Sequence, residues 1–244
     1  MEQKSNGRVA KAAEALSSRT ALFVVVALVV GFAGGVGYTL TFLGGGDDTA
    51  PIATATAQVD AVQSQQAPAF DINIEGRPFL GDPDSPVTVI ELTDYECPFC
   101  RHHHQQVLTA LLAEYGDRIR YVAINFPITS IHPLAFGAAQ AAECAHDQGR
   151  FWDYNDALFA ATEPLSPDTL VAIAAGLGLD MPAFTECMVT ESKRDLVVRD
   201  LQDGQRYGVS GTPTFFINGK RLVGAHPIDV FRQAIDAELA ASGG

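Results

Sequence analysis

Positive charge is what this sequence has least of. Its 244 residues carry 16 Lys and Arg against 29 Asp and Glu, a formal net charge of −13. Gripping nucleic-acid phosphates needs a basic stripe that releases counterions, so a nucleic-acid partner is excluded. The deficit is uneven. Lys4, Arg8, Lys11 and Arg19 outweigh Glu2 and Glu14, so residues 1–20 carry about +2 and the other 224 residues about −15. Charge of either sign is missing between Arg19 and Asp47, and no Lys or Arg stands between Arg19 and Arg77. No internal repeat is visible, and cysteines are few, at four.

The uncharged stretch Thr20 to Leu43 is 24 mostly apolar residues, long enough to cross a hydrocarbon core of about 30 Å as a helix. With the basic residues 1–19 before it and an acidic body after it, the positive-inside rule puts the N-terminus in the cytoplasm and the body outside. A cleaved signal peptide has the same order, with Ala53-Thr54-Ala55 or Ala55-Thr56-Ala57 as cleavage sites. Those sites lie far past the apolar core, which favours a retained transmembrane anchor over 20–43. Residues 44–68 are rich in Gly, Ala, Thr, Gln and Pro and read as a flexible tether. A coil of that length spans roughly 25 to 30 Å, enough to hold a domain clear of a bilayer.

A folded domain is expected over 69–244. Val87 to Tyr95 is apolar on both alternating faces, as a buried strand is, with Glu91 out of place in it. A helical pattern follows with Val107, Leu108, Leu111, Leu112 and Tyr115 on one face, ended by Gly116; then Ile119 to Phe126 reads as a second buried strand. That order predicts a parallel, right-handed βαβ unit. From Pro133 to Tyr207 every pattern is helical, with Asp180 and Thr190 as candidate N-caps. The block is too long for one crossover and reads as a helical subdomain inserted over about 128–207. Strands return at Thr214 to Ile217 and Arg221 to Val223, around an Asn218-Gly219 hairpin turn, before a last helix with Ile228, Phe231, Ile235 and Leu239 on one stripe.

The four cysteines allow three full pairings. Cys97-Pro98-Phe99-Cys100 stands where the buried strand ends and a helix begins. Free backbone N–H groups and the helix dipole there favour a thiolate at Cys97. A lower Cys97 pKa makes a Cys97–Cys100 disulfide easier to reduce, and so more oxidising. Pro98 suits the first helical turn, since it has no N–H to leave unpaired. Cys100, one turn in, is expected to be the more buried. Two other readings of the pair remain, half of a zinc site and a purely structural bond. Zinc would need further ligands, and His102, His103 and His104 point in different directions on a helix. Those histidines are expected on a mostly solvated first part of the helix, with one of them facing the active site as the alternative, and Trp152 in the core.

These elements, in this order, resemble the DsbA-like thiol:disulfide oxidoreductases, which have a thioredoxin-like α/β fold with an inserted all-helical subdomain. The features that carry the resemblance are Glu91 six residues before Cys97, the Cys97-Pro98-Phe99-Cys100 motif, His132-Pro133, Phe151-Trp152, Gly211-Thr212-Pro213-Thr214, and the C-terminal hairpin and helix. They span roughly residues 75 to 240. The resemblance implies that Pro213 is a cis-proline facing the active pair. It implies too that Thr212 offers backbone groups to an extended peptide, with Pro98 and Phe99 completing the substrate surface. It also implies that Glu91 lies beneath the buried cysteine and exchanges a proton with it. The Thr212 hydroxyl is a further candidate donor to the Cys97 thiolate. Phe99 departs from the family's best-known oxidases, which carry histidine there, and leaves the oxidising power open. Cys144 and Cys187, both in the helical block, are expected to form a structural disulfide; the alternatives are two buried free thiols and a redox relay to the Cys97 pair, which nothing in the spacing supports.

The expectation is thus a membrane-anchored enzyme that introduces disulfides into exported proteins. Cysteine-containing substrates and a quinone-linked membrane reoxidant are its implied partners, with no cofactor or metal and with the domain in the periplasm or outside. A reductase or isomerase is the alternative within enzymes. A tethered peptide- or metal-binding module is the alternative outside them.

Overall fold

The computed structural model describes residues 69–243. The expected anchor over 20–43 and tether over 44–68 lie outside them. Among the described residues no helix is long and apolar enough to cross a membrane.

Five strands form one mixed sheet in the order β1-β3-β2-β4-β5: β1 Phe79–Gly81, β2 Val87–Thr93, β3 Ile119–Asn125, β4 Thr214–Ile217 and β5 Lys220–Val223. β2 and β3 run parallel with Glu91 opposite Ala123, and the other pairs are antiparallel. The hairpin turns on Asn218 and Gly219, whose φ values of 45° and 79° are the left-handed pair that an Asn-Gly turn supplies. A side chain at Gly219 would also strike the backbone of Phe70, whose carbonyl lies 2.6 Å from the position of a Cβ.

Strand alternation divides the core. Val87, Val89, Ile119, Tyr121, Phe215 and Ile217 face one side of the sheet. Two helical elements cover it. The first is the crossover, built of α1 Pro98–His103, a π-helical turn His104–Leu108 and α2 Thr109–Tyr115. The second is the C-terminal helix, Ile228–Ser242. Ile90, Leu92, Val122, Ile124 and Phe216 face the opposite side with Ile72, Phe126 and Val209.

Five helices follow β3: α3 Ala135–His146, α4 Phe151–Ala160, α5 Pro167–Gly176, α6 Met181–Val189 and α7 Arg194–Arg206; α8 is Ile228–Ser242. The alanines of α3 are buried with Tyr154 and Leu158 of α4, Leu170 of α5 and Phe184 of α6, in a core that also holds both active-site cysteines. Cys144 of α3 and Cys187 of α6 are joined in a disulfide with Cα atoms 5.9 Å apart. α5 and α6 are capped by Ser166, which accepts from Thr169 N at 3.1 Å, and by the expected Asp180, which accepts from Ala183 N at 3.1 Å. Thr190 is not an N-cap. It ends α6, where its hydroxyl donates to Glu186 O at 2.7 Å, and α7 starts after Lys193 without a side-chain cap.

α7 differs from the other four in lying on the sheet. A Cβ at Gly204 would stand 2.5 Å from the Phe126 ring and 2.7 Å from Leu92. Glycine therefore lets this helix approach closely. The approach is pinned by buried polar groups: Asp200 pairs with Arg77, and Asn125 at the end of β3 donates to Glu143 at 2.7 Å and to Asp200 at 3.0 Å.

Candidate active site

β2 ends at Thr93, and the chain turns through Asp94-Tyr95-Glu96 into α1 with Cys97 at the N-cap position. The turn is fastened at both ends. Asp94 Oδ1 accepts from Glu96 N at 2.8 Å, and Oδ2 accepts from Ile128 N at 2.7 Å and lies 2.9 Å from His132 Nδ1. Glu96 accepts from Leu134 N at 2.6 Å. The loop bearing the cysteines and the His132-Pro133 entry to the helices are thus one hydrogen-bonded unit, and the motif residues around it hold it rather than react.

Both thiols are free, and Cys97 is 5% exposed against 0% for Cys100. The Cys97 thiol donates to the carbonyl of Thr212 at 3.3 Å, and the Thr212–Pro213 peptide bond is cis. Pro213 is thus the buried residue next to the carbonyl that Cys97 meets. A bond from the Cys100 thiol, opposed by burial and helped by Thr212 and by the backbone N–H groups of Cys100 and Phe99, brings the Cys97 pKa down to about 5. The Thr212 hydroxyl oxygen is buried with no hydrogen bond of its own in this dithiol form. Burial above all, then the bond to Cys97 and the nearby Glu91, raises Cys100 well above an ordinary thiol. Both sulfurs are buried, but one is poised to ionise and the other is held a thiol. Pro98 fills the first helical position, and Phe99 beside it is 63% exposed, an apolar ring at the mouth of the site.

Glu91 is buried and lies close enough to act on both cysteines. Burial raises its pKa, and a bond from the Tyr121 hydroxyl at 2.6 Å works against that rise. His103 Nε2 lies 3.1 Å from the same hydroxyl oxygen. Since Tyr121 gives its hydrogen to Glu91, His103 carries one on Nε2 and donates it to Tyr121. Burial holds the His103 pKa down to about 3, so the ring is neutral.

The histidine run is therefore not a solvated face. His102 is exposed, and His104 is partly buried and pairs with Asp156 at 3.1 Å. His103 is fully buried, with ring centroids 4.4 Å from Phe215 and 5.0 Å from Phe231. Cys100, His103 and Val107 form one helical stripe, and that spacing was the available signal. Tyr121 and Thr93 join Glu91 on one face of the sheet, which only the pairing of β2 with β3 and strand alternation reveal. Trp152 is only partly core: half-buried, it donates to Phe79 O at 3.0 Å and ties α4 to the edge strand β1.

A thioredoxin family model matches residues 50–237. Among solved structures, BdbD from Bacillus subtilis is 25% identical with a TM-score of 0.63, covering 70% of this chain and 97% of that one. Wolbachia pipientis α-DsbA1, 24% identical with a TM-score of 0.62, covers 70% of this chain and 94% of its own and shares the fold. A protein of Salinispora tropica named Na(+)/H(+) antiporter NhaA 3 is 38% identical over 162 residues, which is 66% of this chain. The match spans about a quarter (24%) of that protein's length.

Proposed function

This chain belongs to the thioredoxin family in its DsbA-like form, and from that premise we propose that it is a membrane-anchored oxidase that introduces disulfides into exported proteins. The observation that carries the direction is the asymmetry of the pair: Cys97 titrates near 5 while Cys100 is held a thiol. A thiolate stable at neutral pH is a good leaving group, which favours the reduced enzyme and so the oxidation of substrates.

In the oxidised enzyme a substrate thiolate attacks Cys97 Sγ. The Cys97–Cys100 bond breaks, and Cys100 takes the electron pair and a proton. A second substrate thiolate then attacks the substrate sulfur of the mixed disulfide. Cys97 leaves as thiolate, the substrate keeps its new disulfide, and the enzyme is left as the dithiol. Its two electrons pass to a membrane reoxidant linked to quinone.

Glu91, beneath Cys100, supplies and recovers the proton. An extended peptide lies along Thr212-Pro213, with Pro98 and the exposed Phe99 ring as the apolar side of its groove. The basic head and the uncharged stretch over 20–43 support a domain held outside the cytoplasmic membrane, where tethering would raise its concentration near a membrane partner.

Replacement Cys100→Ser tests this reading, because a mixed disulfide at Cys97 then has no resolving thiol within the enzyme. Exported cysteine-containing proteins are expected to accumulate as adducts that Cys97→Ser abolishes. Absence of any adduct at Cys97 would sink the reading.

A further inference from the structure

Cys100 and Glu91 need a path for the proton they exchange, and no hydrogen bond joins them directly among those of the described residues. The gap is occupied. Thr93 follows Glu91 by two residues on β2, so their side chains share one face of the sheet. Its hydroxyl oxygen is buried and without a hydrogen-bond partner, and so is the Oε1 atom of Glu91, whose Oε2 is held by Tyr121. Two orphaned, buried polar atoms on adjacent positions of one face are costly unless something uses them. Cys100 is fully buried too, and both Thr93 and Glu91 are near enough to act on its sulfur.

We propose that the Thr93 hydroxyl is a catalytic proton carrier, handing the proton between the Cys100 sulfur and Glu91 Oε1. This rests on the thiol–disulfide exchange reading and deepens it. When the Cys97–Cys100 bond breaks, the electron pair goes to Cys100 Sγ. Thr93 gives its hydroxyl proton to that sulfur and takes the carboxyl proton of Glu91 in the same step. Glu91 is left a carboxylate, stabilised by the Tyr121 hydroxyl, which His103 orients from behind. The reverse transfer activates Cys100 when it attacks a mixed disulfide. Thr93 is close enough to favour the charged form of both partners, Glu91 and Cys100. The other groups acting on Glu91 are Tyr121 from β3, His104 and Cys97 from the crossover helix, and Tyr95 from the turn.

The test uses the full chain with dithiothreitol as reductant. The rate of reduction of the oxidised enzyme is followed by acid quench and alkylation across pH, for wild type, Thr93→Val, Thr93→Ser and Glu91→Gln. Thr93→Val is expected to slow reduction about tenfold or more where Glu91 is protonated. The ratio to wild type should return toward one at higher pH, and Thr93→Ser should restore the rate. The double variant Thr93→Val/Glu91→Gln should be no slower than Glu91→Gln alone, since both break one path.

The proposal is overturned if Thr93→Val keeps the wild-type rate and pH profile, or if the two costs multiply. It is also overturned if the loss comes with a displaced Cys97 titration, the mark of a structural role. The exchange reading fails separately, if wild-type Cys97 is not reduced by dithiothreitol at all.

Discussion

Two sulfurs three residues apart titrate in opposite directions because one accepts hydrogen bonds at a helix start and the other is packed beneath it. The folded pKa of Cys97, about 5, lies below the ordinary 9.0. Its stabilising contribution to the dithiol form is therefore full above pH 9 and is lost as pH falls through about 5. At pH 7 it is worth on the order of 3 kcal/mol in favour of the reduced enzyme. Thiolate absorbance of the reduced protein should show a step near pH 5 that Cys97→Ser removes; a step near 9 would contradict this. Tyr121→Phe deletes the bond that restrains the upward shift of Glu91. The carboxyl band of Glu91, followed by infrared difference spectroscopy, should then titrate at higher pH than in wild type, while the Cys97 step stays in place. An unmoved band would show that Tyr121 only fills space.

The helices inserted after β3 are held by two independent devices. The Cys144–Cys187 bond joins α3 to α6 across a separation of 43 residues, so a Cys144→Ala/Cys187→Ala variant should lose about 2 to 4 kcal/mol in denaturant unfolding. Its Cys97 titration should not move, which separates a structural bond from a redox relay. Gly204→Ala should cost about 1 to 3 kcal/mol, because its methyl group meets Phe126 and Leu92; unchanged stability would mean that α7 moves freely. Much of this was legible in the residues. Asn218-Gly219 can make only a few turns, and the doubly apolar run from Val87 marks a parallel strand, so the hairpin and the βαβ unit followed. β1, with three residues, is too short to show alternation. Thr190 looked like a cap because its chemistry suits one, but its hydroxyl bonds backward to Glu186. Three consecutive histidines suggest solvent but do not tell which one turns inward; the Cys100, His103, Val107 spacing that buries His103 is a property of the helix. The Thr93 hydroxyl needed three dimensions, since nothing local distinguishes it from a threonine of good strand propensity.

Over the whole molecule, charge and cysteine divide the chain in the same direction. A small basic head precedes an uncharged stretch and a domain of strong negative charge. The thiolate at Cys97 is accordingly stabilised by local donors, against the field of the domain rather than with its help. If the stretch over 20–43 is a retained anchor, the full chain should stay with the membrane pellet after alkaline carbonate and be released by detergent; release by carbonate would remove the anchor from the account. The direction of catalysis depends on the same balance of local donors and burial. The measurement that tests it most directly is the equilibrium reduction potential of the Cys97–Cys100 pair against glutathione at pH 7. An oxidase of exported proteins predicts a value well above that of thioredoxin, toward about −120 mV; a value near about −270 mV would contradict the account and make the protein a reductase.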